Sequence, residues 1–183
     1  MDLTKQDAAA ALHDIEQARA SSRELKGYEM GGPYLIVWGM VWLVAGSLAD
    51  LLPRSSGMIW STGNVLGIIA SIWLARRDYS GDTRGRMRRF LGLMAICALF
   101  MLATRWLIDP AQARKFLAFS GMFTGAVYMA AGLWIGTRFI LCGAAVVAAS
   151  LTGYAILPSH FQLWFAVACG GAMILSGFWM RRS

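Results

Sequence analysis

The chain has 183 residues, of which 57% are hydrophobic and only 15% are charged. Soluble domains usually carry about 25% charged residues, so this composition excludes an ordinary soluble protein. The formal net charge is +7, but thirteen of the seventeen Lys and Arg residues fall within residues 1–30, residues 76–89, Arg138 and the last three positions. No nucleic-acid-reading module accompanies them, so we expect no nucleic-acid partner.

The first thirty residues predict an amphipathic cytoplasmic helix. The segment is rich in alanine and has acidic residues early and Lys26 late, with Gly27 as a stop. Heptad a and d spacing is followed by Ala8, Ala11, Ile15, Ala18, Ser22 and Leu25. These side chains are small for a coiled coil, which leaves two interpretations open. The helix docks on the inner membrane face or on the 76–89 loop, or it binds a cytoplasmic protein.

Six later segments are apolar over the roughly 20 residues that a membrane-crossing helix needs. They are residues 33–52, 57–75, 90–108, 116–135, 139–157 and 161–180. None resembles a cleavable signal peptide, so we expect the first to stay in the mature protein. The predicted fold is therefore all-α: residues 1–30 form the cytoplasmic helix, and residues 31–183 form a polytopic domain of six transmembrane helices in three consecutive hairpins.

Arginine is concentrated between the second and third predicted spans. Six arginines lie there: Arg76, Arg77, Arg84, Arg86, Arg88 and Arg89. Lys and Arg collect in short cytoplasmic loops, which places both termini in the cytoplasm and the chain in the plasma (inner) membrane. We interpret the six arginines as anchors for the neighbouring spans, with the bilayer and its anionic headgroups as their partner.

Two ionisable residues lie within predicted spans. Asp50 precedes Pro53 by three positions, and Arg105 precedes Pro110 by five, so the two have a similar depth. Charges inside a membrane are costly, and they tend to pair or to face a cavity. We therefore predict an Asp50–Arg105 ion pair under the outer face. Snorkelling of each side chain, or pairing of Arg105 with Asp109, is the alternative.

Few residues in the sequence suggest reaction chemistry. His13 and His160 have no partner at metal-ligand spacing, and Cys97, Cys142 and Cys169 lie in three different spans. No catalytic or phosphate-binding motif is present. We therefore expect no metal, no cofactor and no enzymatic activity. Small residues four apart, such as Gly121 with Gly125, predict close helix packing and leave a homo-oligomer open.

Each odd-numbered span is followed by a proline. These prolines are Pro53, Pro110 and Pro158. With the small-residue faces, this three-hairpin plan resembles the HdeD-type acid-resistance membrane proteins of bacteria over residues 33–180. The resemblance implies a small inner-membrane protein linked to stress, and its motifs transfer no functional residue. We thus predict a regulatory, stress-linked or partner-binding membrane protein. The alternative is a small-solute or ion transporter or channel with a site near Asp50 and Arg105.

Overall fold

The computed structural model describes residues 5–77, 84–108 and 112–182, and every regular element within these ranges is helical. The helices are α1 (Lys5–Leu51), α2 (Ser56–Arg77), α3 (Arg84–Leu107), α4 (Ala113–Ile135), α5 (Thr137–Ile156), α6 (Phe161–Phe165) and α7 (Gly171–Arg181). One turn of π-helix, Ala166–Gly170, joins α6 to α7 into a single final rod. The all-α prediction is confirmed for these residues.

Within the described ranges, five segments are long and apolar enough to cross a membrane. They are Ala11–Leu51, Pro53–Arg77, Ala113–Ile135, Thr137–Ile156 and Phe161–Arg181. The remaining predicted span falls on α3, whose described apolar part, Ala95–Leu107, is shorter. Long apolar helices of this kind are those of a multi-pass membrane protein.

The first helix runs past the point where the sequence predicted its end. The predicted stop at Gly27 is wrong, because α1 continues through Gly31, Gly32 and Pro33 to Leu51. A Cβ on Gly31 would collide with the Phe139 ring, and one on Gly32 would lie 2.9 Å from the carbonyl oxygen of Gly177. Close packing on α5 and α7 therefore outweighs the roughly 1 kcal/mol that each glycine costs a helix. The boundary at residue 30 lies inside one continuous helix.

A single glycine reverses the chain between α4 and α5. Gly136 has a φ of 145°, the only positive φ among the described residues. Side chains with a Cβ rarely adopt this conformation, so the one-residue connection requires glycine. A Cβ here would also collide with the Tyr28 hydroxyl and the Glu24 carboxylate of α1. The reversal therefore seats α1 directly on the α4–α5 connection.

Backbones approach closely where helices meet through glycine. A Cβ on Gly170 would lie 2.8 Å from the carbonyl oxygen of Gly39, so the final rod and α1 pack closely at these two glycines. A Cβ on Gly125 would lie 2.6 Å from the carbonyl oxygen of Gly143, so α4 and α5 pack closely at these two glycines. Such contacts hold helices together where lipid removes the hydrophobic driving force. The prediction of close packing from small residues is thus confirmed at Gly125 and Gly170.

Aromatic and aliphatic side chains fill the space between α1, α5 and the final rod. The Trp42 and Phe165 rings have centroids 4.7 Å apart. Phe165, Met173 and Val146 are completely buried. At the periphery, Phe100 of α3 stacks on Phe123 of α4 with centroids 5.0 Å apart. The described centre of the bundle is therefore packed with apolar groups.

Candidate functional site

A cluster of polar side chains lies where α1 ends and the final rod begins; we call it the far-end cluster (Asp50, Ser56, Trp60, His160 and Gln162). Asp50 Oδ2 lies 3.2 Å from His160 Nδ1. Ser56 Oγ and Trp60 Nε1 donate to Gln162 Oε1 at 3.1 and 3.2 Å. The cluster therefore ties the end of α1 and the start of α2 to α6.

The structure places Asp50 and Arg105 in contact with other residues rather than with each other. The Asp50 side chain is 14% exposed and contacts His160, which is 70% exposed. The Arg105 guanidinium lies 5.6 Å from the centre of the Phe116 ring, and its Nη1 donates to the carbonyl of Ile108 at 3.3 Å. Among the described residues, Asp50 and Arg105 form no ion pair with each other. Asp109, the competing partner, lies outside the described residues.

At the opposite end of the bundle, four side chains form a second cluster, which we call the clamp (Glu24, Tyr28, Arg138 and Trp179). The Tyr28 hydroxyl donates to Glu24 Oε1 and accepts from the Arg138 backbone N–H at 3.3 Å. The Arg138 guanidinium lies 4.9 Å from the Tyr28 ring centre and 4.8 Å from that of Trp179. Its Nη1 donates to the Trp179 carbonyl at 3.1 Å.

The clamp joins three helices that are distant in sequence. A guanidinium between two aromatic faces gains attraction from both rings, and more where water is excluded. Because Tyr28, Arg138 and Trp179 belong to α1, α5 and α7, this contact joins the three helices near the point where α1 leaves the bundle. In the sequence, Arg138 stands out only as one of the clustered basic residues. The single advance signal was the four-residue spacing of Glu24 and Tyr28, which places them on one helix face.

The arginine-rich segment divides between two helices. Arg76 and Arg77 are exposed at the end of α2, and the Arg77 guanidinium lies 5.7 Å from the Trp73 ring centre. Helix α3 begins at Arg84 and includes Arg86, Arg88 and Arg89, whose side chains lie outside the described residues. The anchoring of the six arginines to headgroups therefore stays a prediction.

Polar groups in the middle of the bundle are satisfied locally. The Ser150 hydroxyl donates to the Val146 carbonyl at 2.8 Å and lies 3.5 Å from Cys169 Sγ. Trp164 Nε1 donates to the Ala149 carbonyl at 2.9 Å. Among the described residues, every buried side-chain nitrogen or oxygen has a partner, and no three His, Cys, Asp or Glu residues gather as metal ligands.

Two open grooves lie on the surface that the described residues form. One, of about 220 Å³, runs between α4 and α5 and is lined by Phe119, Met122 and Leu151 among others. The other, of about 250 Å³, is lined by His160, Leu163, Trp164 and neighbouring apolar residues. Neither groove is lined by Asp50 or Arg105. Both are apolar, as expected of surfaces that face lipid chains.

Comparison with protein families, with characterised proteins and with solved structures found no match to this chain. The resemblance to HdeD-type proteins therefore has no support beyond the prolines and small-residue faces on which it rests. What the chain shows is the architecture of a multi-pass membrane protein with several long apolar helices.

Proposed function

We propose that this chain is a six-span integral membrane protein that acts by binding a partner through the N-terminal part of α1, without catalysing a reaction. The proposal rests on one observation, which concerns residues 11–26, hereafter the extension. The extension belongs to the same helix as the first span, yet the side chains of residues 11–19 are all exposed. A helix that extends from a packed bundle presents an exposed surface to a partner.

The clamp supports this role. Tyr28 is almost fully buried at 3% exposure, whereas Leu25, one turn earlier, is 50% exposed. Arg138 and Trp179 therefore hold the helix at the point where it leaves the bundle. The extension is therefore connected to α5 and α7 through the clamp residues at its base.

The proposal also specifies which end of the bundle lies on the cytoplasmic side of the membrane. The far-end cluster adjoins Arg54, whereas the clamp end carries Lys26, Arg181 and Arg182, and Lys and Arg favour the cytoplasmic side. We therefore place the extension and both termini in the cytoplasm and the far-end cluster outside. α3 then crosses as the remaining span, with its arginine-rich start at the headgroups.

The transporter alternative has a weaker basis. It would use Asp50 and Arg105 together at one site, whereas in the structure Asp50 contacts His160 and Arg105 contacts Phe116. Solute flux into proteoliposomes that is lost in Asp50→Asn would favour the transporter. Retention of the flux, or its absence in the parent, would favour the binding role.

Site-specific labelling and cross-linking test the proposal. In a Cys97→Ala background, Gln17→Cys should react with an impermeant maleimide only after cells are opened, whereas Ser55→Cys should react in intact cells. A photo-activated cross-linker at Ile15 should yield a protein adduct, and one at Gln17 should not. Labelling of Gln17→Cys from outside would contradict the orientation. Absence of any Ile15 adduct would contradict the binding role.

A further inference from the structure

An apolar ridge, formed by exposed side chains in the extension and near the C-terminal end of α1, lies on one side of this helix. Leu12 and Leu48, like Ile15 and Leu51, are 36 residues apart, which is about ten turns of an α-helix. In a helix of regular geometry each pair lies on the same side, and all four residues are exposed. The opposite side of the bundle part of α1 carries the buried residues Leu35, Trp42 and Ala49. The ridge thus points away from the bundle.

The extension carries the heptad pattern on the ridge side. Positions a and d are occupied by Ala11, Ile15, Ala18, Ser22 and Leu25. The Ser22 hydroxyl already donates to the Ala18 carbonyl at 2.8 Å, so it needs no partner from a second helix. Alanine and serine at these positions let two helix axes come close together. Ile15 and Leu25 supply the larger apolar surfaces.

The a and d positions form the seam of a coiled coil. The charged residues beside this seam are complementary when two helices run parallel. With Ile15 at position a, Asp14 is at g and Arg19 is at the e position of the next heptad. In a parallel two-stranded coiled coil, these two positions face each other across the seam. Asp14 and Arg19 are five residues apart, too far to pair along one helix. Neither forms an ion pair with any described residue.

We infer that the extension self-associates, and that its partner is the extension of a second copy of this chain in a parallel coiled coil. This inference rests on the proposed binding role and names the partner. Copies inserted in one membrane present their extensions in the same direction, which is the parallel arrangement that the Asp14–Arg19 contacts require. Anchoring also concentrates the two helices near each other. Because the side chains of residues 11–19 are exposed, a second copy can pack along this part of the extension.

Position-specific disulfide trapping in native membranes, on the full-length chain with Cys97→Ala, tests the inference. Oxidation of Ile15→Cys and Ala18→Cys, at positions a and d, should give roughly tenfold more cross-linked dimer than oxidation of His13→Cys and Gln17→Cys on the opposite side. Equal trapping at all four positions indicates random collision and overturns self-association. Adducts of Ile15→Cys with a different protein also overturn it, while leaving the proposed binding role intact.

A charge exchange gives an independent arm that does not depend on added cysteines. Asp14→Arg and Arg19→Asp should each lower the dimer fraction several-fold, and the double variant should restore it, because the exchanged charges again face each other. Both residues are exposed, so the variants leave the bundle folded. A double variant as monomeric as the single ones would overturn the parallel pairing. This readout is independent of which membrane side the extension occupies, so it fails separately from the orientation.

Discussion

The two parts of α1 share one helix and differ in what covers them. Residues 28–49 place Tyr28, Leu35, Trp42 and Ala49 in the bundle, all at most 8% exposed. The extension has Leu12, Ile15 and Leu25 at least half exposed. Both parts contain alanine, glycine or small polar residues at regular spacing. The contrast teaches that in this protein the neighbours of a helix, rather than its own pattern, decide whether a face is buried or exposed.

The largest effect should come from adding a methyl group where the backbones of α1 and the final rod meet. Gly170→Ala places a Cβ 2.8 Å from the Gly39 carbonyl oxygen, and we expect a loss of about 2 kcal/mol from overpacking. Gly171→Ala is the matched control, because nothing lies within 4 Å of its added Cβ. The control should be neutral or stabilising by about 0.5 kcal/mol. Thermal unfolding in detergent measures both, and equal shifts would contradict the close packing of α1.

The next effect concerns the clamp that separates the two parts of α1. Arg138→Ala should destabilise the bundle by about 1–2 kcal/mol, since the guanidinium contacts the Tyr28 and Trp179 rings. Arg138→Lys should retain part of this, because an ammonium keeps the charge but lacks the planar fork. Arg77→Ala is the control, with one exposed ring contact to Trp73. If Arg77→Ala costs as much as Arg138→Ala, the clamp is not what fixes α1.

A smaller effect is expected at the far end of α1. Asp50→Asn, His160→Gln and the double variant form a double-mutant cycle for the 3.2 Å contact. The coupling should be at most about 1 kcal/mol, because the His160 side chain is largely exposed and water screens the pair. Equilibrium unfolding in detergent supplies the three values. A coupling above about 2 kcal/mol would mean that this contact, and not the packing of α1 against its neighbouring helices, holds the end of α1.

The smallest effect is expected in the extension. Gln17 is exposed and lies away from the apolar ridge, so Gln17→Ala should change bundle stability by less than about 0.5 kcal/mol. The same unfolding assay measures it beside Gly170→Ala. A drop as large as that of Gly170→Ala would show that the extension is covered by protein, and the comparison between the two parts of α1 would no longer hold.

Composition and hydropathy along the chain determined the secondary structure and the class of protein. Runs of about 20 apolar residues must form helices in lipid, since each backbone polar group needs a partner within its own segment. The predicted ends at Pro53 and Pro158 were accurate to within two residues, because proline cannot donate the amide that a continuing helix needs. The close approach of α4 and α5 at Gly125 was also predictable, because the sequence shows where a glycine leaves no side chain between two helices.

Contacts between distant residues were decided only by the tertiary structure. Gly27 resembles a helix stop until α5 and α7 are seen to pack against the following glycines. Asp50 and Arg105 have a similar depth, but depth does not specify which side of a helix meets which neighbour, and Asp50 contacts His160 instead. Arg138 lies 110 residues from Tyr28, a separation that no local pattern encodes. Spacing along a chain fixes the faces of a helix, whereas only the packed bundle determines which faces meet.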